Sequence, residues 1–345
     1  MPESALSTAP AAEAPLRPPF DAALLNLVSR YADDPSAILA LDDDTHSFTV
    51  PGIEGFLAYR RHGRWLLQIG GAYAAETDRL PLLRAFLADA ERQRCRVLAV
   101  QLQQRDARDA WQLGCTVNQL GASYALAVDG FGLRGRHFMQ LRNKISRARR
   151  AGVLVEHTTF AELSEDDRKQ LNALDAAWLA GKHAKPLRFM VGRLGGQAEP
   201  LRRLVLGRLD GRVVGYLSLS QVFGSRPGWL HDLSRRSGEA PPGVMELLVA
   251  DSLGQLGETP GCWWHFGFTP FTGLDPAHEL PGASAGVARL IRLLADRGQR
   301  IYPSASQVDY KRKWGDLEVL PDYLAFAGRP GPSGVAALVR AANLL

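Results

Sequence analysis

Asp232 and Arg235 are two charged residues whose types and spacing suit chemistry. They stand at the end of an apolar segment, Trp229 to Leu233, that we predict to be a core strand, and open α/β sheets bind ligands at strand ends. We assign Asp232 to binding a substrate amine or to acting as a general base, and Arg235 to gripping a phosphate or carbonyl. The alternative is an Asp232–Arg235 salt bridge that only fixes a turn. Strand alternation turns His231 to the opposite face, so a His–Asp pair is not expected.

A turn and a predicted helix follow this strand, in the order Ala-Pro-Pro-Gly-Val-Met-Glu. In acetyltransferases of the GNAT fold, a glycine turn and a helix N-terminus cradle the pyrophosphate of coenzyme A. Here Pro241 and Pro242 have no N–H to donate, so coenzyme A fits this turn poorly. Gly243 and Glu246 are candidate substrate-binding residues, although Glu246 also suits a simpler role as an acid that complements the helix dipole.

Lys311 and Lys313 lie two residues apart near the C-terminus. If their segment is a strand, both side chains share one face, and two like charges on one face suggest an anion between them. Lys311 is the catalytic candidate and Lys313 a substrate-binding one, with RNA or lipid phosphates as the anion. An edge strand protected by solvated lysines is the alternative.

The net charge of +5, from 41 basic and 36 acidic residues, has a local origin. Residues 134–150 hold seven Lys and Arg and no acid. Apolar residues at helical spacing, Phe138, Leu141, Ile145, Ala148 and Gly152, predict a helix with one packed stripe. The candidates for binding RNA on its other faces are Arg142, Lys144, Arg147, Arg149 and Arg150. A solvated linker helix is the alternative, but an acid-free face lacks the partners that offset self-repulsion, which indicates a polyanion such as RNA or an anionic lipid surface.

The elements that must position these residues alternate between strands and helices. In the first half, strands are predicted at Ala37–Leu41, Gly55–Tyr59, Arg64–Gly70 and Arg96–Gln103, and a helix at Leu80–Gln93. In the second half, a hairpin joins Leu201–Leu209 to Arg212–Val222 around Asp210-Gly211, and Trp229–Leu233 and Cys262–Phe266 are strands. Helices are predicted at Met245–Leu256 and Val287–Arg297. We infer two α/β domains of similar plan.

Composition supports an ordinary globular protein, with 345 residues, 46% hydrophobic and 22% charged. No apolar stretch reaches the roughly 18 residues that a membrane span requires, so we expect a cytoplasmic protein without a transmembrane segment. The three cysteines, Cys95, Cys115 and Cys262, are too far apart for metal-type spacing, and no metal is predicted. The Ala- and Pro-rich residues 1–20 are predicted to be a flexible tail, and residues 328–345 a tail helix.

Several ordered motifs resemble one known family. They are Asp232-Leu233-Ser234-Arg235, Ala240 to Glu246, Phe266-Gly267-Phe268-Thr269-Pro270 with Gly273-Leu274, and Tyr310-Lys311-Arg312-Lys313-Trp314 with Pro321 to Ala325. Together they look like the C-terminal catalytic region of phosphatidylglycerol lysyltransferases and alanyltransferases, the DUF2156 family. Trp178 and Lys182 resemble its Trp-Leu-x-x-Lys motif, which adds both to the substrate-binding candidates. Three departures from the family pattern are expected to matter: the long transmembrane half of the larger members is absent, Ser234 replaces a Met, and Ala305 or a neighbour replaces an acid.

The resemblance implies an α/β fold of two tandem GNAT-like domains, residues 21–133 and 153–327, joined by a basic helix at residues 134–152. It implies an aminoacyltransferase that uses aminoacyl-tRNA as co-substrate and no other cofactor. The acceptor is a phosphatidylglycerol-type lipid hydroxyl or a small-molecule amine, and a lipid acceptor would bring peripheral contact with the inner membrane surface. The alternatives are an acyl-coenzyme A N-acyltransferase and a non-catalytic module that binds RNA or a membrane surface.

Overall fold

The computed structural model describes residues 21–181, 192–297 and 304–341. The first half of the chain forms α1 Ala22–Tyr31, β1 His46–Phe48, β2 Gly55–His62, β3 Trp65–Ala74, α2 Glu76–Arg92, β4 Arg96–Leu102, α3 Gln104–Gln112 and β5 Thr116–Ala127. Then come α4 Met139–Arg150, β6 Leu154–Thr159, α5 Glu165–Gly181, β7 Arg202–Leu209, β8 Arg212–Val222 and β9 Gly228–Arg236. The last elements are α6 Val244–Leu256, β10 Trp263–Pro270, α7 Ala285–Arg297, α8 Ser304–Arg312, β11 Glu318–Phe326 and α9 Pro332–Ala341.

All the strands belong to one sheet, in the order β1-β2-β3-β4-β11-β5-β10-β9-β8-β7-β6. Strands β1 to β5 and β7 to β11 follow the same plan. In the first half β3 and β4 pair in parallel, in the second half β9 and β10 do, and the other strand pairs are antiparallel. The predicted α/β fold class and its tandem plan are confirmed. The predicted domain boundaries stay a prediction, because the sheet runs unbroken through both halves.

The two halves exchange their last strands. Strand β11 from the end of the chain lies between β4 and β5, and β5 from the first half lies between β11 and β10. Each half-sheet is therefore completed by a strand of the other half. This exchange brings sequence-distant residues of both halves to the middle of the sheet.

The hairpin of β7 and β8 forms where it was predicted. Asp210 has φ 50° and Gly211 has φ 79°, and two consecutive positive φ angles give the type of tight turn that matches strand twist. The predicted strands at residues 55–59, 64–70, 96–103, 229–233 and 262–266 correspond to β2, β3, β4, β9 and β10. The predicted helices correspond to α2, α6 and α7.

Two predicted strands are wrong. Ala37–Leu41 is a buried 3-10 helix, because a short apolar run has no periodicity that separates a strand from a helical turn. The segment with Lys311 is the end of helix α8, followed by a turn that contains Lys313. Val308 and Lys311, three residues apart, are both buried, which is a helical spacing. The argument that Lys311 and Lys313 share a strand face therefore fails.

Helices cover the sheet and set the positions of the charged elements. In α4, Leu141, Ile145 and Ala148 are buried against α6, which confirms the packed stripe, although the helix starts at Met139 and Gly152 lies beyond its end. The predicted tail helix is α9, which packs its apolar side on the core that contains Trp65. Residues 1–20 and 342–345 lie outside the described residues.

Candidate active site between two splayed strands

A cleft opens where two parallel strands of the sheet separate. Strands β9 and β10 pair only from Gly228–Leu230 to Trp263–His265. Beyond this point β9 stays on β8 and β10 stays on β5. The resulting cavity has a volume of about 410 Å³, and its lining includes Trp178, Asp232, Arg235, Met245, Tyr310 and Lys311. The structure thus brings together the three predicted catalytic residues and Trp178.

Asp232 lies in the middle of β9, not at its end as predicted. The pairing of β9 with β8 slips by one residue there, since Leu219 faces His231 and Ser218 faces Leu233. This bulge leaves Asp232 without an opposite residue and lets both His231 and Asp232 line the cleft. His231 packs on Trp264 and Phe266, whereas Asp232 accepts a hydrogen bond from Ser220 and lies beside Arg202, so the two side chains have different partners, as the sequence predicted.

The Asp232 carboxylate is held by groups from other elements. It accepts hydrogen bonds from Ser220 Oγ at 2.9 Å and from the Gly192 backbone N–H at 2.9 Å, and its Oδ2 lies 3.3 Å from Arg202 Nε. Arg202 is fully buried, and Asp42 is its second acidic neighbour. The Asp232–Arg235 salt bridge considered from the sequence does not form. A carboxylate oriented by these contacts suits binding an ammonium group.

Arg235 is fixed by helix α5. Its Nε donates to Asp175 Oδ1 at 2.6 Å, and its guanidinium lies 4.1 Å from the centroid of the Trp178 ring. Its Nη1 donates to the Ser234 carbonyl. These contacts leave Nη2 without a hydrogen-bond partner among the residues that the structure describes. The cleft therefore contains an oriented N–H donor for a carbonyl or phosphate oxygen.

Lys311 enters the cleft from the last turn of α8 and is buried. Its Nζ donates to the Gly267 carbonyl at 2.7 Å and to Thr269 Oγ1 at 2.6 Å. Burial lowers the pKa of Lys311 to about 7, against a smaller opposite effect of Asp322. A lysine with this pKa can take up and release a proton near neutral pH.

Lys313 does not reach the cleft lining. Its Nζ donates to Glu246 Oε1 at 2.8 Å, and Lys144 Nζ lies 3.3 Å from the same oxygen. Hydrogen bonding and charge from Lys313 hold the pKa of Glu246 below its usual value, despite burial. The three residues form an ion-pair cluster where α4, α6 and the turn after α8 meet, so Glu246 offers no free carboxylate to a substrate.

Gly243 precedes α6 with φ 94°, and a side chain there would collide with the Lys144 carbonyl of α4. This close contact between the two helices explains why residue 243 is a glycine. It also covers the start of α6. Together with Pro241 and Pro242, this packing removes the turn as a pyrophosphate cradle. Gly243 accordingly serves the contact between α4 and α6.

The basic helix α4 has a smaller free cationic surface than predicted. Arg142 Nη1 donates to the Leu133 and Gly135 carbonyls at 2.7 Å each, and Lys144 is paired with Glu246. Arg147, Arg149 and Arg150 are exposed and form no ion pair with another described residue. These three residues are what remains of the predicted tRNA-binding face. Lys182 lies outside the described residues.

Sequence reasoning missed Ser36 and Gln101, two cleft residues from the first half of the chain. Gln101 is one of them, and its φ of 54° matches the φ of 71° at Gly267, its counterpart in the repeat. His231 packs beside Trp264 and Phe266, and burial together with the Lys311 charge lowers its pKa to about 4. No sequence signal indicates their place in the cleft, because their position depends on the strand exchange and on the β9 bulge.

Comparisons with known proteins agree with the motifs. The family model described as phosphatidylglycerol lysyltransferase, C-terminal, matches residues 25–326. This chain belongs to that family. A curated relative, the lysylphosphatidylglycerol biosynthesis bifunctional protein LysX of Mycolicibacterium gilvum, is 36% identical over 141 residues, which are 41% of this chain and 13% of the relative. The resemblance inferred from the motifs is confirmed.

Two solved structures share the fold. One is the C-terminal domain (DUF2156) of a putative lysylphosphatidylglycerol synthetase from Agrobacterium fabrum, with a TM-score of 0.75, 22% identity, and coverage of 92% of this chain and 94% of that one. The other is L-PGS from Bacillus licheniformis, with a TM-score of 0.74, 18% identity, and coverage of 93% and 96%. This chain spans about an eighth of the length of the curated LysX relatives it matches.

In this member of the phosphatidylglycerol lysyltransferase family, the equivalent opening in the first half is filled. Strands β3 and β4 separate after Ile69 and Val100, as β9 and β10 do. Asp106 of α3 packs there against Gly71, where a side chain would collide with its carboxylate. Tyr73 Oη donates to Asp34 at 3.2 Å beside it, and burial with the Asp106 charge raises the pKa of Asp34 to about 7. Side chains thus occupy the opening that forms a cleft in the second half.

Two features are absent from the described part of the chain. No helix within residues 21–181, 192–297 and 304–341 is long and apolar enough to cross a membrane. The same residues contain no group of three or more His, Cys, Asp or Glu side chains arranged to hold a metal ion. The absence of a metal remains a prediction.

Proposed function

We propose that this chain transfers an aminoacyl group from aminoacyl-tRNA to a hydroxyl group of phosphatidylglycerol, with no cofactor other than the charged tRNA. The observation that carries the proposal is the cleft in which Asp232, Arg235, Trp178 and Lys311 meet from three separate motifs. Membership of the family supports it, and so do the curated relatives, whose names refer to lysylphosphatidylglycerol biosynthesis. Lysyl-tRNA is therefore the first donor to test.

The aminoacyl ester is already activated, so the protein has to position the acceptor, move one proton and stabilise the oxyanion. Asp232 binds the α-ammonium group of the aminoacyl moiety through its carboxylate, which the contact with Arg202 orients. Arg235 donates from Nη2 to the ester carbonyl as negative charge develops on that oxygen. Both roles use groups whose orientation is fixed before the substrate binds.

Lys311 handles the proton. In its neutral form it accepts the proton of the phosphatidylglycerol hydroxyl as the oxygen attacks the ester carbon. The new C–O bond joins the acyl group to the lipid, the C–O bond to the tRNA ribose breaks, and the leaving ribose oxygen takes the proton from Lys311. The hydrogen bonds to Gly267 and Thr269 hold Nζ in place during both transfers.

The donor would reach the cleft over α4, where Arg147, Arg149 and Arg150 are free to contact tRNA phosphates. The acceptor requires that the protein make peripheral contact with a membrane surface. A small-molecule amine remains the alternative acceptor, because the cleft holds polar groups that any hydroxyl or amine could use.

The test is to incubate the purified protein with a pool of charged tRNAs and with vesicles that contain phosphatidylglycerol, and to follow both the ester and the lipid. We expect loss of one aminoacyl ester together with formation of an aminoacyl lipid. The matched control uses phosphatidylcholine vesicles, which offer no such hydroxyl. If the ester is lost only when a soluble amine is the acceptor, the acceptor is an amine and the lipid proposal is wrong. If the ester is not lost with any acceptor, the transferase proposal is wrong.

A further inference from the structure

Helix α7 exposes leucines on its solvent side. Its buried side is marked by Ile291, whereas Leu290 is 39% exposed and Leu293 is 46% exposed. Leu293 stands two positions after Ile291, which places it nearly opposite on the helix. Surface helices normally carry polar residues at that position. An apolar residue at the middle of the outer face indicates a partner for this face.

The charges beside the leucines indicate which partner. Arg289 and Arg292 are exposed on the same side and form no ion pair with another described residue. Asp296, on the last turn, is the acid on this face, so cations outnumber acids two to one. Exposed leucines between unpaired arginines are typical of a helix that rests in the interface of an anionic membrane.

An exposed aromatic residue lies near the start of α7. Trp111 of α3 is 41% exposed, and its indole N–H donates to the Pro281 carbonyl at 2.8 Å, in the loop that leads into the helix. Tryptophan with a polar N–H and an apolar ring favours the headgroup level of a bilayer. Trp111, Leu290 and Leu293 account for three of the six exposed large apolar residues that the structure describes.

The inner side of α7 connects this face to the cleft. Ile291 and Val287 belong to the core cluster that also contacts Phe268. Phe268 of β10 is part of the cleft lining, next to Gly267, whose carbonyl binds Lys311. The inner side of α7 and Phe268 of the cleft lining therefore pack on one core cluster.

We propose that α7, with Trp111, is the surface by which this protein docks on an anionic lipid bilayer. The inference rests on the proposed function, because docking would present the phosphatidylglycerol headgroup to the cleft. Two leucines and one tryptophan form a small apolar area, well below what a stable protein interface buries, and each can insert separately among lipids. The arginines would bind the headgroup phosphates.

The test compares Leu290→Ser/Leu293→Ser with a matched control, Leu154→Ser, which removes a leucine that is 72% exposed on strand β6. Binding to phosphatidylglycerol vesicles is measured by co-sedimentation. We expect the double variant to lose binding about tenfold or more and the control to bind like the unaltered protein. Binding of the unaltered protein should fall with added salt and be weak on phosphatidylcholine vesicles.

A second measurement separates docking from chemistry. Transfer is assayed with a short-chain phosphatidylglycerol below its micelle concentration, which needs no membrane. We expect the double variant to keep this activity and to lose transfer to vesicles. Unchanged vesicle binding in the double variant, or an equal loss with the soluble acceptor, would overturn the docking proposal. If the unaltered protein binds vesicles through α7 but transfers to neither acceptor, the proposed function fails while the docking surface stands.

Discussion

The chemistry of individual residues in the cleft depends on burial and on partners that lie far away in sequence. Lys311 has a lowered pKa because its ammonium is buried beside a carbonyl and a hydroxyl. Asp322 raises that pKa through its charge, and burial raises the pKa of Asp322 itself to about 7. Asp232 is oriented by Arg202. Lys311 and Asp232 thus differ in role although both line one cleft.

The first prediction concerns the pH dependence of transfer. Below about pH 7 Lys311 is protonated and cannot accept the acceptor proton, so the transfer rate should rise with pH and level off above about 7. Lys311→Arg keeps a cation that does not deprotonate, and Lys311→Met removes the base. Both should lower the rate on the order of 10²-fold or more and abolish the rise with pH, measured in single-turnover assays.

Stability supplies a control for this assignment. Between pH 7 and 10.5 the unfolded chain keeps a proton on Lys311 that the folded protein has released, so the free energy of unfolding should rise with pH in that window. Lys311→Met should flatten the rise in thermal melts. A rate profile unchanged in Lys311→Met would show that the lysine does not handle the proton.

The second prediction separates the chemical and structural roles of Asp232. Asp232→Asn should lower the transfer rate on the order of 10²-fold and also the melting temperature, since buried Arg202 loses an acidic partner. Asp42→Asn is the matched control, because it also takes an acid from Arg202 but does not line the cleft. It should lower the melting temperature and leave the transfer rate intact in the cold. Equal losses of transfer in both variants would reduce Asp232 to a structural anchor.

At the scale of elements, helix α4 has two surfaces with different roles. One packs against α6 through buried apolar residues and the ion pair of Lys144 with Glu246. The other carries the free arginines. A single acid-free segment in the sequence therefore divides into cations that hold the protein together and cations available to a polyanion.

The third prediction follows from this division. Reversing Arg147, Arg149 and Arg150 to Glu should weaken tRNA binding and reduce the salt dependence of the dissociation constant, by a log–log slope of about 0.7 to 0.9 for each phosphate that the variant no longer neutralises. The matched control reverses Arg64, Arg84 and Arg94, which are exposed on the first half. It changes net charge equally and should have a smaller effect. Equal weakening by both triple variants would indicate general attraction instead of a defined face.

At the scale of the whole molecule, strand exchange makes the halves interdependent. Strand β4 pairs with β11, which comes from the second half of the chain, and would lose this neighbour without it. Strand β10 pairs with β5, which comes from the first half, and would likewise lose that neighbour. The cleft draws on both halves, because Gln101 and Ser36 line it together with β9, β10 and α8. The site exists only when the exchanged sheet is complete.

The fourth prediction is that the protein unfolds in one cooperative step and that a fragment of residues 21–152 does not fold alone. An interior strand with an unsatisfied edge exposes backbone groups and apolar surface, which favours aggregation. Circular dichroism melts and size-exclusion chromatography of the fragment, and of the fragment co-expressed with residues 153–341, would check this. A cooperative melt of the isolated fragment would contradict it.

The amino-acid sequence by itself determined the α/β class, the β7–β8 hairpin, the packed stripe of α4 and the motif residues of the cleft. These depend on local periodicity and on residue types with strong turn or charge preferences, which act over a few neighbours. Asp210-Gly211 is an example, since two residues with positive φ suffice to close a hairpin.

Only the tertiary structure decided what the charged residues do. Lys311 and Lys313 are near neighbours in sequence, yet one is buried in the cleft and the other is paired with Glu246, because α8 is a helix that turns after Arg312. Asp232 and Arg235 have different partners, Arg202 and Asp175, supplied by elements that local patterns do not specify. The strand exchange has the same origin: it is set by pairing between strands that lie far apart along the chain, and no local pattern in the sequence records such a pairing.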